Sequence, residues 1–185
     1  MPSTRNAPEA STVATPAMTC DELAGDPDDV KRRLRNDPVT DIKDASAAIS
    51  ACKTAITIAE KSGAREILPR LNDQLGRAFD AAGSYQEEAR DHYRISAEGG
   101  YPPGMAHYAF LLLQNGMPEA AVNYLASAVN GSIFAAYKMG DFYWTGFHHG
   151  LVPANKGKSI MLINFAASFG YRPAMNHPSH RPDIR

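Results

Sequence analysis

Residues 131–146 read GSIFAAYKMGDFYWTG, a stretch in which small residues alternate with large aromatic ones. Gly131, Ala135, Ala136, Gly140 and Gly146 stand among Phe134, Tyr137, Phe142, Tyr143 and Trp144. Glycine inside a helix costs about 1 kcal/mol relative to alanine, so its presence here requires a packing reason. Two helices can approach closely only where one of them offers a notch, with bulky neighbours filling the groove beside it.

The same notch recurs upstream. Gly76, Ala109 and Gly140 follow one another at intervals of 33 and 31 residues, with Phe79, Leu112 and Tyr143 as their bulky companions. Gly83, Gly116 and Gly146 are placed to end the first helix of each unit, and Gly100, Gly131 and Gly170 the second, in left-handed positions that suit glycine. Between them lie helical periodicities, with Tyr85, Ala89, Tyr93 and Ala97 in one helix and Ala120, Tyr124 and Ala128 in another. The third unit has a longer connection, FHHGLVPANKG, before KSIMLINFAASFG. A period in the thirties that carries small residues at fixed places predicts stacked helix pairs.

Upstream of the units, Ile42, Ala45, Ala48, Ile49, Cys52, Ile56 and Ala59 form one apolar helical stripe. Asp41 or Asp44 is its candidate cap and Gly63 its stop. Before that, CDELAGDPDDVKRRLRND reads as short helical turns broken at Pro27 and again at Pro38. Residues 1–18, rich in Pro, Ser, Thr and Ala, read as a disordered lead-in.

Composition narrows the class. The 185 residues carry 19 basic and 20 acidic side chains, so no basic stripe points to nucleic acid. No apolar run is long enough to span a bilayer, and no apolar h-region of a signal peptide stands at the start. The two cysteines, Cys20 and Cys52, leave two readings open. Cys52 lies on the apolar stripe, where Cys20 could meet it as a staple worth about 3 to 4 kcal/mol; the other reading is a pair of buried thiols.

At LGRAFDAAGSYQEEARDHYRISAEGGY, YAFLLLQNGMPEAAVNYLASAVNGS and AAYKMGDFYWTGFHHGLVPANKGKSIMLINFAASFGY the chain resembles the Sel-one-like repeat family, long relatives of tetratricopeptide repeats. The resemblance covers roughly residues 20–175, with departures at Tyr108-Ala109, where Leu-Gly is usual, and at Ser159, where Ala is usual. The stretch from Cys20 to Ile56 is similar to a segment that precedes such repeats in bacterial exported proteins. The resemblance implies an all-α, right-handed α–α superhelix that binds proteins or peptides on its first-helix face. The expected organisation is a disordered segment (1–19), cap helices (20–66), about three repeats (67–175) and a Pro-rich tail (176–185).

Candidate chemistry is sparse. The adjacent His148 and His149 lie in the long loop without a companion carboxylate or cysteine at ligand spacing. His177 and His180 sit in a Pro-rich tail that does not favour an aligning helix. GKS at 157–159 lacks the leading glycine of a phosphate loop. No catalytic residue, cofactor or metal ligand is therefore assigned.

The expected partner surface comprises Arg77, Phe110, Tyr137, Lys138, Asp141 and Trp144, with aromatic anchors oriented by the charged members. Its apolar members could equally be core between repeats. The function expected is a non-catalytic adaptor or scaffold for a protein or peptide, periplasmic or secreted, with a cytoplasmic location also open. An enzyme acting on cell-envelope or antibiotic-like ligands and a secreted effector or regulatory module are the alternatives. The oligomeric state is not indicated.

Overall fold

A computed structural model describes residues 16–33, 39–84 and 86–180. The expected break at Pro38, the ring of Tyr85, most of the N-terminal lead-in and the end of the tail lie outside these residues. Among the described residues the chain is all-helical, with no strand. The helices are α1 (Pro16–Ala24), α2 (Val30–Arg33), α3 (Ala45–Ser62), α4 (Leu68–Ala82), α5 (Gln86–Glu98), α6 (Pro102–Gln114), α7 (Pro118–Ala128), α8 (Ile133–Thr145), α9 (Lys156–Ser168) and α10 (Arg172–Met175).

Local chemistry sets their ends. Asp44, not Asp41, caps α3 by accepting from the Ala47 N–H at 2.9 Å, and Gly63 closes it in the left-handed conformation. Prolines open α4, α6 and α7, where a missing N–H costs nothing. Ser132 and Asn155 cap α8 and α9 through their side chains.

α4 packs on α5, α6 on α7 and α8 on α9, while α4 also meets α6 and α6 meets α8. The first helices therefore adjoin. The notch expected from sequence exists: a Cβ on Gly76 would lie 2.8 Å from the Tyr93 ring, and one on Gly140 would lie 2.9 Å from Ile163. Ala109 is fully buried at the equivalent place.

Two expectations are corrected. Gly131 does not adopt positive φ; it is small because Pro102, at the start of α6 in the same helix pair, lies against it, 2.5 Å from where a Cβ would stand. Residues 16–19 are not part of a disordered lead-in but the first turn of α1, whose Cys20 and Ala24 are buried. Within the Pro-rich tail, residues 176–180 dock against the fold. Ser179 is fully buried, 3.2 Å from the hydroxyl of Ser159, which gives Ser159 a hydrogen-bonding role.

Candidate functional site

The face formed by the first helices is the candidate site, and the chain itself occupies both of its ends. At the N-terminal end a Cys20–Cys52 disulfide, Cα–Cα 4.8 Å, bolts α1 to α3. Asp21 pairs with Arg70 and accepts from Gln74 Nε2 at 2.6 Å, which seats α1 on α4. Arg77 donates through Nη1 to the Ala24 carbonyl at 2.6 Å and through Nη2 to the Val39 carbonyl at 2.7 Å. It clamps the N-terminal segment from both sides.

Beyond Ala24 the chain crosses the face. Asp29 accepts from Tyr101 Oη at 2.8 Å and from the Lys31 N–H at 2.9 Å. The Val30 N–H donates to the Gly131 carbonyl at 3.2 Å, and the Ile133 N–H donates to the Asp28 carbonyl at 2.9 Å. Residues 24–30 thus run from α4, past the start of α6, to the start of α8.

Asp26 enters the interior on this path. Its carboxylate is fully buried, as is that of Asp73 on α4, and both face His107 of α6. His107 Nδ1 lies 2.9 Å from Asp73 Oδ1 and 3.6 Å from Asp26 Oδ2. Burial raises the Asp73 pKa and the neighbouring Asp26 adds to it, against the pull of His107. Burial alone would lower His107, but the two carboxylates outweigh it and raise it. Tyr93, its ring tilted against His107 with centroids 4.6 Å apart, donates to Asp80 Oδ2 at 2.7 Å, and burial together with Asp73 and Asp80 raises its phenol.

At the other end the tail closes over α8. His177 Nε2 lies 3.3 Å from Asp141 Oδ1, and its ring meets Trp144 and Tyr137 edge-on at 5.8 and 6.3 Å. Tyr171 packs at a tilt against Tyr137, ring centroids 5.2 Å apart. Lys156 lies over the Trp144 ring, 3.4 Å from its centroid, and donates to the Trp144 carbonyl. Lys138 reaches Asp141 at 3.8 Å and lies over the Phe142 ring at 5.2 Å.

The surface left open lies between these two closures. Phe110, 46% exposed, stands there edge-on to Phe134 at 6.2 Å. Beside it is a cavity of about 320 Å³ walled by Asp80, Arg90, Tyr93, His107, Leu111 and Gln114. A larger cavity of about 460 Å³, bordered by Lys31, Arg32 and Arg70, also has Asp21, Asp29 and Glu66 in its wall, so its charges balance.

Of the six residues expected at a partner surface, Phe110 is the most exposed aromatic and lines an open cavity. Tyr137, Asp141 and Trp144 share one cluster with His177, and Lys138 joins it through Asp141. Arg77 stands apart from that surface, turned toward the carbonyls of the N-terminal segment. Sequence reasoning missed Asp26, Asp73 and His107, and set His177 aside because it lies in a Pro-rich stretch. Asp73 and His107 leave one trace, polar residues within three positions of their notches, whereas Asp26 lies in a turn and leaves none.

Compared with family models, curated proteins and solved structures, the chain matches none.

Proposed function

We propose that the chain is a non-catalytic protein-interaction module, a short α-solenoid of Sel-one-like repeats that takes a partner protein or peptide at the Phe110 window. One observation supports this reading above the others. Arg77, Phe110 and Asp141 each stand one residue past a notch, yet Arg77 and Asp141 are engaged by the chain's own segments while Phe110 faces solvent beside a cavity. A large aromatic left exposed beside a pocket with mixed polar walls is the makeup of a binding hot spot. The disulfide supports an extracytoplasmic setting, where such bridges persist.

The partner segment would offer an apolar side chain to Phe110 and Phe134, with polar groups reaching Asp80, Arg90 and Gln114. Selection from a displayed peptide library, followed by anisotropy titration, tests the reading. Phe110→Ser is expected to weaken the selected peptide at least about tenfold. Met161→Ser, at an exposed position on α9, is expected to leave affinity unchanged. Equal affinity for Phe110→Ser and the parent chain would overturn the proposal.

A further inference from the structure

We propose that Asp26, Asp73 and His107 form a binding site for a divalent transition-metal ion, with Zn²⁺ the best match. The ion would fasten the N-terminal segment to α4 and α6.

The donors suit that chemistry: two carboxylates and one imidazole are hard-to-borderline ligands drawn from three separate parts of the chain. Their spacing suits it too. Metal–ligand bonds of about 2.0 to 2.1 Å in a tetrahedron place neighbouring ligand atoms about 3.3 Å apart. The 2.9 and 3.6 Å separations at His107 Nδ1 bracket that edge. All three ligand atoms lie within 4.8 Å of one another, so a bound ion would draw the two carboxylates together by up to about 1.5 Å.

The independent observation is what the carboxylates lack. Asp26 and Asp73 are both fully buried, and Oδ2 of each has no hydrogen-bond partner among the described residues. Buried carboxylate oxygens are ordinarily met by a donor or a cation. Asp26 Oδ1 is taken by the Asp28 N–H at 2.6 Å, so Oδ2 is the atom turned toward His107. The single Nδ1–H of His107 can serve one carboxylate at a time, and at 2.9 Å it serves Asp73.

Arg77 is the competing cation. Its Nη atoms are spent on the Ala24 and Val39 carbonyls, and its Nε stays 3.8 Å from Asp26 Oδ2, beyond hydrogen-bonding distance. A protonated His107 with Arg77 would balance the two negative charges yet still leave both Oδ2 atoms unmet. An ion replacing the Nδ1 proton meets Asp26 Oδ2 and one oxygen of Asp73 together. The 320 Å³ cavity reaches the imidazole, which is 27% exposed, and gives the ion a way in.

The test uses the full chain, stripped with chelator and titrated with Zn²⁺ against a chromophoric competitor. One equivalent is expected to bind, and Asp26→Asn and Asp73→Asn are each expected to weaken it at least about tenfold. The His148→Ala, His149→Ala double variant removes the exposed loop histidines and is expected to bind as the parent does. Should either Asn variant fail to fold, imidazole ¹⁵N spectra of the parent chain decide, with the His107 Nδ1 resonance expected to move on adding Zn²⁺. No stoichiometric binding, undiminished binding by a folded Asn variant, or unmoved His107 nitrogens would each overturn the proposal.

Discussion

His177 lies over Asp141, with Nε2 and Oδ1 3.3 Å apart, while the same imidazole meets Trp144 edge-on at 5.8 Å. The histidine side chain is only 6% exposed, so it is part of the fold and screens the only tryptophan in the chain. Edge-on aromatic contacts contribute about 0.5 to 1.5 kcal/mol beyond the area they bury. His177→Ala is therefore expected to cost about 1 kcal/mol, to shift Trp144 emission to the red and to raise its quenching by acrylamide. Emission and quenching that match the parent chain would contradict this closure.

The notch makes a prediction of opposite sign to helix propensity. Alanine in place of helical glycine ordinarily gains up to about 1 kcal/mol. At Gly76 the new methyl meets the Tyr93 ring, and at Gly140 it meets Ile163, both in buried surroundings. Overpacking of this kind costs about 1 to 3 kcal/mol, so Gly76→Ala and Gly140→Ala are expected to lower the denaturation midpoint. Gly157→Ala, whose nearest obstacle is Asn155 Oδ1 at 3.5 Å, is the control and is expected to be neutral or stabilising. Denaturant melts of the three variants compare these outcomes directly.

Cys20 and Cys52 close a loop of 32 residues around the link between α1 and α3. Constraint of the unfolded chain by a loop of that size contributes about 3 to 4 kcal/mol in the chain-entropy model. Replacing both cysteines by alanine is expected to remove that much stability and to loosen the Arg77 clamp, since α1 precedes the segment it grips. Equilibrium unfolding of the double variant, with hydrogen exchange over residues 21–30, measures both effects. A loss below about 1 kcal/mol with unchanged exchange would count against the staple.

His92 offers a pH test away from the buried triad. Burial lowers its pKa below the ordinary 6.5, and the charge of Lys53 lowers it further. The ring stacks on Phe79 at 5.6 Å, and Nδ1 lies 2.8 Å from Asn72 Oδ1; that oxygen accepts, because Asn72 Nδ2 donates to the Leu68 carbonyl. With the folded pKa depressed, the unfolded chain takes up the proton first as pH falls through 6.5. The contribution is fully present above that pH and is lost below it, toward the folded pKa. His92→Gln keeps a donor for Asn72 and is expected to flatten this part of the stability profile. An NMR titration that places His92 at or above 6.5 would refute it.

The helix pairs were legible because their signal is periodic and local. Gly76, Ala109 and Gly140 are small for a reason that repeats, and Cys52 sits on a stripe that any helix would bury. Asp26 and His107 carry no such mark, because a turn residue and a helix residue far along the chain meet only once the array has stacked. The His177 contacts were hidden for a different reason. Prolines 173 and 178 rule out a long helix but do not stop a short segment from docking through Tyr171 and the buried Ser179. The register of Arg77, one residue past the Gly76 notch, points to a surface charge, but the carbonyls of Ala24 and Val39 reach it from elsewhere in the chain.

Hydrogen–deuterium exchange of the full chain with and without a library-selected peptide tests the Phe110 window most directly. New protection is expected in α6 from Phe110 to Gln114 and at the cavity walls near Asp80 and Arg90. Protection confined to α7 and α9, with these segments unchanged, would contradict it.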